Sequence, residues 1–465
     1  MSGSEGSSLR ISLDLRVMLR PGAQVDGDRP VVRYAGRTTA LPDAPGVRAA
    51  LDVLARRGSA ASELRALAAS PRAMSVVALA LTRLRAEHVL WDMLFVDGEP
   101  LLALLSARRH FEPSNAVPPL VTGARIVLSR WCVLRREADG WLIESPLSPA
   151  LVVVQADRLT AGVLALSTPR AAGEVAVPGP ALALLAALGL LVDADADERD
   201  GPRALWSLPD AWLHARSRLG RAAGPVGGTF RFAGRRPPAP VLAQVRGPSL
   251  PLPRYETEAR EEPPFQAVLD GRRSAEFDQP RAPLTIAALG ELLDRGARIR
   301  ALRLPDPAVP TDYGISLRPS PGAGGCHELE LYLAVQACEG LVPGLYRYDP
   351  SEHALERRGD AAALGEDARL ACGAATAPEV VVVLAARFAR VMWKYEAIGY
   401  ALILKDAGVL LQTLGLCAAA MGLAWRPLGA GDSDAFCRAA GTDWWDESSV
   451  AEAALGGPLS PPPPR

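Results

Sequence analysis

The sequence predicts an α+β protein of several domains, from three observations. Its 465 residues exceed one ordinary domain and suit roughly three. The first 220 residues or so alternate short strands, short helices and one hairpin. After a Pro-, Gly- and Arg-rich stretch, an alternating strand, a continuous apolar run and a long apolar helix follow one another. This gives two winged-helix-like domains over 1–118 and 119–222, a linker over 223–254, an α+β domain over 255–457 and a Pro-rich tail over 458–465.

The N-terminal part opens with strand-like runs, Leu9 to Leu19 and Val31 to Tyr34. Helical patterns follow at Pro45 to Arg57, Ala61 to Ala69 and Ala73 to Glu87, and Pro113, Pro118 and Pro119 end the domain. In the second part, Arg125 to Arg136 alternates as a strand. Ala138-Asp139-Gly140 reads as a turn into Trp141-Leu142-Ile143-Glu144, hence a hairpin. Leu151 to Gln155 is another short strand, and Ala161 to Leu166 and Ala181 to Leu190 are short helices. Gly224 to Pro253 has linker composition. In the last domain, Pro263 to Asp270 is a helix end, and Leu284 to Leu293 is a helix that Thr285 can cap. Glu328 to Val335 alternates, placing Leu329, Leu331, Leu333 and Val335 on one face of a strand. Val380-Val381-Val382-Val383-Leu384 reads as a central strand buried on both faces. Ile398 to Met421 is a long helix. The prolines after Ser460 cannot join a helix or a sheet interior.

Composition excludes several classes. A formal net charge of −1 disfavours a general nucleic-acid binder or a membrane-surface protein. The best recognition-helix candidate, Pro180 to Leu188, carries no Arg, Lys, Asn or Gln to reach phosphates or base edges. Met1 to Gly6 is small, polar and acidic, with no secretory h-region. The apolar stretch Ala407 to Leu423 contains Gln412 and Thr413 and reads as a buried helix rather than a membrane span. Six scattered cysteines suggest reduced thiols in a cytoplasmic protein. Five histidines show no metal-binding spacing, so no metal site is expected.

The chemistry concentrates in the last domain. Only two lysines, Lys394 and Lys405, stand against 49 arginines. An ammonium can be tuned to exchange a proton and a guanidinium cannot, so Lys394-Tyr395 is a candidate proton-transfer pair. Gly271-Arg272-Arg273-Ser274 offers two guanidinium groups and a hydroxyl to a phosphate. Arg318-Pro319-Ser320-Pro321-Gly322-Ala323-Gly324-Gly325-Cys326 is a loop of small residues that lets a planar ring approach the backbone; a plain flexible loop is the alternative. Leu428-Gly429-Ala430-Gly431-Asp432-Ser433-Asp434 presents further backbone amides, with Asp432 and Asp434 suited to capping or turn roles. Cys326-His327 is a poor nucleophile and base pair, because neighbours on a strand face opposite sides.

In this order the motifs resemble the flavin-dependent nitroreductases, and more closely the SagB-type peptide dehydrogenases that oxidise azolines in thiazole/oxazole-modified peptide and thiopeptide biosynthesis. The likeness runs from Arg272-Arg273-Ser274 through Pro319 to Tyr332, Gly340 to Pro350, Lys394 to Tyr400 and Gly408 to Thr413, to Gly431-Asp432-Ser433-Asp434 and Glu447 to Val450. The segment Trp206 to Arg221 resembles the joint that precedes the oxidoreductase in these enzymes. The domains before it are similar to winged-helix peptide clamps that hold a leader peptide.

The resemblance implies a dimer-forming domain with FMN held between two subunits. Arg272, Arg273 and Ser274 would hold the phosphate end. Pro319, Ser320, Gly322 and Ala323 would line the isoalloxazine. Gln412, Leu428, Gly429 and Gly431 would complete the cofactor site, with Lys394 and Tyr395 catalytic. Gly399 and Val409 depart from the Arg and His of many relatives, which concerns the phosphate ligands more than the reaction. The implied partners are an azoline-bearing precursor peptide and the cyclodehydratase that makes it, and dioxygen is the simplest terminal oxidant. The rival readings are an FMN nitroreductase acting on small molecules, a non-catalytic peptide-binding protein with a degenerate flavin domain, and a transcription regulator.

Overall fold

Strand pairing in the computed structural model organises the chain around two large antiparallel sheets. The structure describes residues 10–27, 29–34, 36–108, 111–121, 123–137, 140–196, 198, 201–221, 227–254 and 262–458. The start of the Leu9 strand, the Ala138-Asp139 turn, the N-terminal hexapeptide and the proline tail from 459 onward lie outside the described residues. The chain divides into two compact units, 1–227 and 228–465.

In the first unit, six strands pair in the order Val133–Glu137, Gly140–Glu144, Ala150–Val154, Glu99–Ser106, Leu90–Val96, Asp14–Leu19. The hairpin expected around Gly140 forms, with Glu137 opposite Gly140. The expected strand Arg125 to Arg136 divides into Arg125–Leu128 and Val133–Glu137, which join different sheets. The sheet also crosses the 118/119 division, because Leu102 to Ser106 pairs with Ala150 to Val154. Helices Pro45–Arg56, Ala61–Ala66 and Pro71–Ala86 carry one core through Leu51, Leu64 and Leu81. Helix Gly179–Ala187 buries Ala181 to Leu185 in another. The helix without polar reading groups is therefore a core helix.

The second unit carries a seven-stranded antiparallel sheet in the order Ser249–Pro251, Ala354–Gly359, Gly344–Asp349, Leu329–Val335, Val380–Arg387, Glu447–Pro458, Leu423–Pro427. Its middle is buried on both faces. Val380, Val382 and Leu384 pack with helices Ile286–Ala297 and Gly399–Ala420. Val381 and Val383 pack with helices Ala362–Cys372 and Ser433–Ala440 on the other side. This is an α+β fold with the two helical layers that the apolar run requires. Thr285 caps its helix as expected, accepting the Ala288 N–H at 3.2 Å.

Two expectations change. The strand Leu329–Val335 is buried along its whole length, not on one face. Its polar side is satisfied inside the protein: Glu330 pairs with Arg347 at 3.4 Å and Arg387 at 3.2 Å, and the Tyr332 hydroxyl donates to Glu447 at 2.9 Å. The described part of the expected linker, residues 228–254, belongs to the second unit. Leu250 pairs with Leu355, and Gly228 bridges to Tyr395.

The helix Gly399–Ala420 is long and apolar enough, by length and composition, to cross a membrane. One side packs through Ile403, Ala407, Leu410 and Leu414 into the core. The other exposes Tyr400, Leu404, Gly408, Val409 and Gln412, spaced as a single helix face. Elsewhere the packing is tight. A Cβ on Gly457 would stand 2.0 Å from the Ala282 carbonyl oxygen and 2.7 Å from the Leu284 nitrogen. Gly457→Ala is expected to cost about 1–3 kcal/mol by overpacking, read as a lower denaturant midpoint at unchanged slope.

Candidate active site

The site begins with a short helix and the turn after it. The central strand Val380–Arg387 ends in helix Phe388–Met392, and Lys394 and Tyr395 follow. Arg390 lies in that helix with 3% exposure. Its guanidinium donates to backbone carbonyls of three separate segments: Cys326 at 3.0 and 2.5 Å, Gly314 at 2.8 Å and Ala239 at 2.9 Å. Burial pulls its pKa down from the usual arginine range. Segment 228–240 lies along the same turn. Phe230 N–H donates to the Lys394 carbonyl at 3.1 Å, Trp393 Nε1 to the Arg236 carbonyl at 2.8 Å, and Thr229 Oγ1 to Glu396 at 3.0 Å.

These bonds aim Lys394 at a cluster of phenols. Its Nζ donates to the Tyr313 hydroxyl and sits 4.5 Å and 4.7 Å from the centres of the Tyr313 and Tyr395 rings. The Tyr313 hydroxyl donates to the Gly324 carbonyl at 2.8 Å. Desolvation alone would lower the Lys394 pKa, but hydrogen bonds to Tyr313 and Tyr395 outweigh it and the value is raised. Lys394 is therefore a fixed ammonium between two phenol oxygens. Gly324 is required here: its φ is +58°, and a Cβ would lie 2.3 Å from Lys394 Nζ and 2.8 Å from the Tyr395 hydroxyl.

The loop that carries Gly324 has a second side. Ser320, Pro321 and Gly322 line a cavity of about 20 Å³ with Arg318, His327, Glu328, Asp406 and Leu410. That volume admits one water and no ring. Ala323 is buried, and its N–H donates to Asp406 Oδ2 at 2.6 Å. Gly322 makes room for the His327 ring, since a Cβ there would stand 2.9 Å from Nδ1. Pro319 is half-buried beside this cavity and does not line it. Cys326 is fully buried and its thiol is pushed up to about 11, chiefly by burial. Burial also lowers His327 to about 4. A thiolate and imidazolium pair is thereby disfavoured, by desolvation as well as by direction.

The remaining expected cofactor residues separate. Arg273 and Ser274 line a cavity of about 460 Å³ with Glu276, Gln279, Gly415, Ala419, Gly422 and Trp425. Arg272 is exposed beside it and does not line it. Neither Arg272 nor Arg273 makes an ion pair among the described residues. Gln412 is exposed on the long helix and lines neither cavity. Leu428 N–H is held by the Glu452 carbonyl at 2.9 Å, and Gly429 is open. Gly431 makes room for Glu452, because a Cβ would lie 2.2 Å from that carboxyl carbon. In the single chain, the glycines of the 428–431 loop thus face the protein's own carboxylate or solvent.

Sequence reasoning missed Tyr313, Phe230, Arg390, Glu328 and Asp406. Tyr313 has no local pattern to mark it. Phe230 could have been suspected as an aromatic inside a stretch otherwise rich in Pro, Gly and Arg.

Two family models match parts of this chain. Residues 272–456 match the nitroreductase family. Residues 126–223 match a second family model, described as cyanobactin oxidase ThcOx. The chain thus carries a nitroreductase-like oxidoreductase domain behind a region similar to a cyanobactin oxidase. A curated Methanocaldococcus jannaschii protein named as a nitroreductase is 28% identical over 178 residues, 37% of this chain and 80% of that protein. A solved Ralstonia eutropha protein, also named for the nitroreductases, aligns at 21% identity, 49% of this chain, 100% of its own and a TM-score of 0.36. The Escherichia coli microcin synthetase McbBCD complex with truncated pro-MccB17 bound aligns at 19% identity, 44% of this chain, 77% of its own and a TM-score of 0.33.

Arg390→Lys retains charge but loses the planar fork that serves three carbonyls. We expect it to destabilise the second unit by on the order of 2–3 kcal/mol, measured by denaturant unfolding.

Proposed function

We propose that this protein is an FMN-dependent dehydrogenase that oxidises thiazolines or oxazolines in a ribosomal precursor peptide to thiazoles or oxazoles. The observation that carries the reading is the Lys394 ammonium, held between the Tyr313 and Tyr395 phenols against the glycine loop. A nitroreductase-family match and a cyanobactin-oxidase match on one chain support it.

The residues present fit a flavin phosphate. Arg273 and Ser274 face the 460 Å³ cavity, whose other walls include Gly415, Ala419 and Gly422; Glu276 also lines it, but no ion pair joins it to Arg273 among the described residues. The Ser320–Gly322 loop would meet the ring on its outer side, because the inner cavity is water-sized. The phosphate and ring clusters adjoin different turns of the long helix, near Gly415 and Ala419 and near Asp406 and Leu410. That separation, with the exposed Tyr400, Leu404 and Val409 on the same helix beside Lys405 and Gln412, suits a homodimer in which two copies complete each site.

When bound, the flavin supplies the two-electron acceptor for the dehydrogenation. The protein must place the azoline ring and take its Cα proton. Lys394 stays charged and Tyr313 donates its own proton to Gly324, so Tyr395 is the group left to act as base. This role requires the phenolate, and the Lys394 ammonium stands 4.7 Å from the centre of that ring. A cyclodehydratase would supply the azoline. All six cysteines are free, consistent with work in a reducing cytoplasm.

The expected outcomes are specific. Lys394→Ala and Tyr395→Phe should keep the yellow flavin and lose most azole formation, seen by mass spectrometry as the missing loss of two hydrogens per ring. Lys394→Arg should fail as well, because a wider planar guanidinium cannot take the place of Nζ between Tyr313, Tyr395 and Gly324. Full turnover by Lys394→Ala and Tyr395→Phe would remove the assignment. Arg273→Ala should weaken FMN at least tenfold and leave riboflavin nearly unchanged, since about 1.4 kcal/mol of phosphate contact accounts for tenfold. A nicotinamide oxidised rapidly with no action on an azoline peptide would favour a small-molecule nitroreductase instead.

A further inference from the structure

The least satisfied buried group in the second unit is Glu328. It is 0% exposed, and among the described residues no side chain donates a hydrogen bond to either carboxyl oxygen; only its own backbone N–H lies close. Two ionised carboxylates cannot bond to each other, yet the side chain within hydrogen-bond reach of Glu328 is Asp406. Asp406 comes from the long helix, lines the same cavity, and already accepts the Ala323 N–H at 2.6 Å. A buried carboxylate without a donor is costly, and one proton shared with a neighbouring carboxyl removes the problem.

We propose that Glu328 and Asp406 hold one proton between them, and that this pair is a latch fixing the Ser320–Ala323 loop to the long helix. Glu328 closes the latch by donating to Asp406, and Asp406 holds the Ala323 amide. The loop is thereby locked with Gly324 against Lys394 and Tyr395 on its other side. Glu328 and Asp406 are positioning residues, since neither touches the reacting atoms.

The charged and titratable groups around the pair act as follows. Burial raises the Glu328 carboxyl most, to about 8, and the Asp406 charge raises it further. Arg390, from the helix before Lys394, opposes this without reversing it. Lys405 lowers Asp406, which is nonetheless raised by burial. His327 and Arg318 line the same cavity. Burial lowers both, so His327 stays neutral above about pH 4; Arg318 is a guanidinium in the same cavity, and its attraction to Glu328 acts with Arg390 against the rise. Cys326 is pushed up to about 11 and stays a neutral thiol.

The sign follows. A carboxyl raised in the folded state contributes stability that is full below its unfolded pKa of 4.5 and is lost as pH rises through about 8. The experiment is thermal unfolding of the ligand-free full chain across that window, for the wild type, Glu328→Gln and Asp406→Asn. The wild-type midpoint should fall with rising pH. Glu328→Gln carries a permanent N–H donor to Asp406 and should lack most of that fall. Asp406→Asn, which can still accept from Ala323, should flatten it too. Curves for Glu328→Gln and the wild type that run parallel would overturn the latch. If either variant fails to fold, infrared spectra of the wild type decide: a protonated carboxyl band present near neutral pH that titrates away toward about pH 8 supports the pair, and its absence refutes it.

A second arm rests on the flavin reading. FMN affinity of the wild type should weaken roughly tenfold between about pH 7 and pH 9, the equivalent of one pKa unit, and that of Glu328→Gln should not. Protein that binds no FMN at any pH would sink the flavin reading, and the unfolding curves would still decide the latch.

Discussion

The candidate site depends on one buried guanidinium. Arg390 has no carboxylate partner among the described residues and instead ties together three backbone carbonyls, from Ala239, Gly314 and Cys326. Each belongs to a segment that the site needs. The first is the 228–240 stretch along the Lys394 turn, the second adjoins Tyr313, and the third closes the glycine loop. A guanidinium suits this task because its planar fork serves several acceptors and its charge survives burial. With those segments held, Lys394 points at the phenols of Tyr313 and Tyr395.

The rest of the second unit gives that guanidinium a rigid base. The helix bearing Arg390 continues a strand buried on both faces, in the middle of a seven-stranded sheet. The long helix then returns across the sheet and presents Asp406 to the loop and Gly415 and Ala419 to the wider cavity. One element therefore touches both halves of the proposed cofactor site. The glycines work mainly in close packing: Gly324 clears Lys394, Gly322 clears His327, and Gly431 clears Glu452.

Much of the fold was legible because it is written in local pattern. The run Val380 to Leu384 has no polar face, so both sides had to be covered, and they are. Thr285 stands one residue before a helix and caps it. Lys394 was conspicuous because it breaks an arginine habit. The misreadings have equally physical causes. Glu330 and Tyr332 alternate with leucines and imitate a solvent face, but Arg347, Arg387 and Glu447 satisfy them from distant positions. The proline and glycine content of residues 228–254 imitates a linker, although the segment is held by backbone and side-chain bonds to the 387–396 turn and to the sheet edge.

The sequence by itself marked most elements of the C-terminal domain, its strand buried on both faces and the adjacent amine and phenol as candidates, because periodicity, capping and residue chemistry are properties of neighbours in the chain. Only the tertiary structure decided which groups meet. Tyr313 reaches Lys394 across 81 positions, Ala323 reaches Asp406 across 83, and Arg390 gathers carbonyls from as far as 151 positions away. Such encounters are set by sheet register and helix packing, and no local pattern encodes them. The ionisation of Glu328 and Lys394 follows from the same encounters, since burial and neighbouring groups fix a pKa and both exist only in the folded chain.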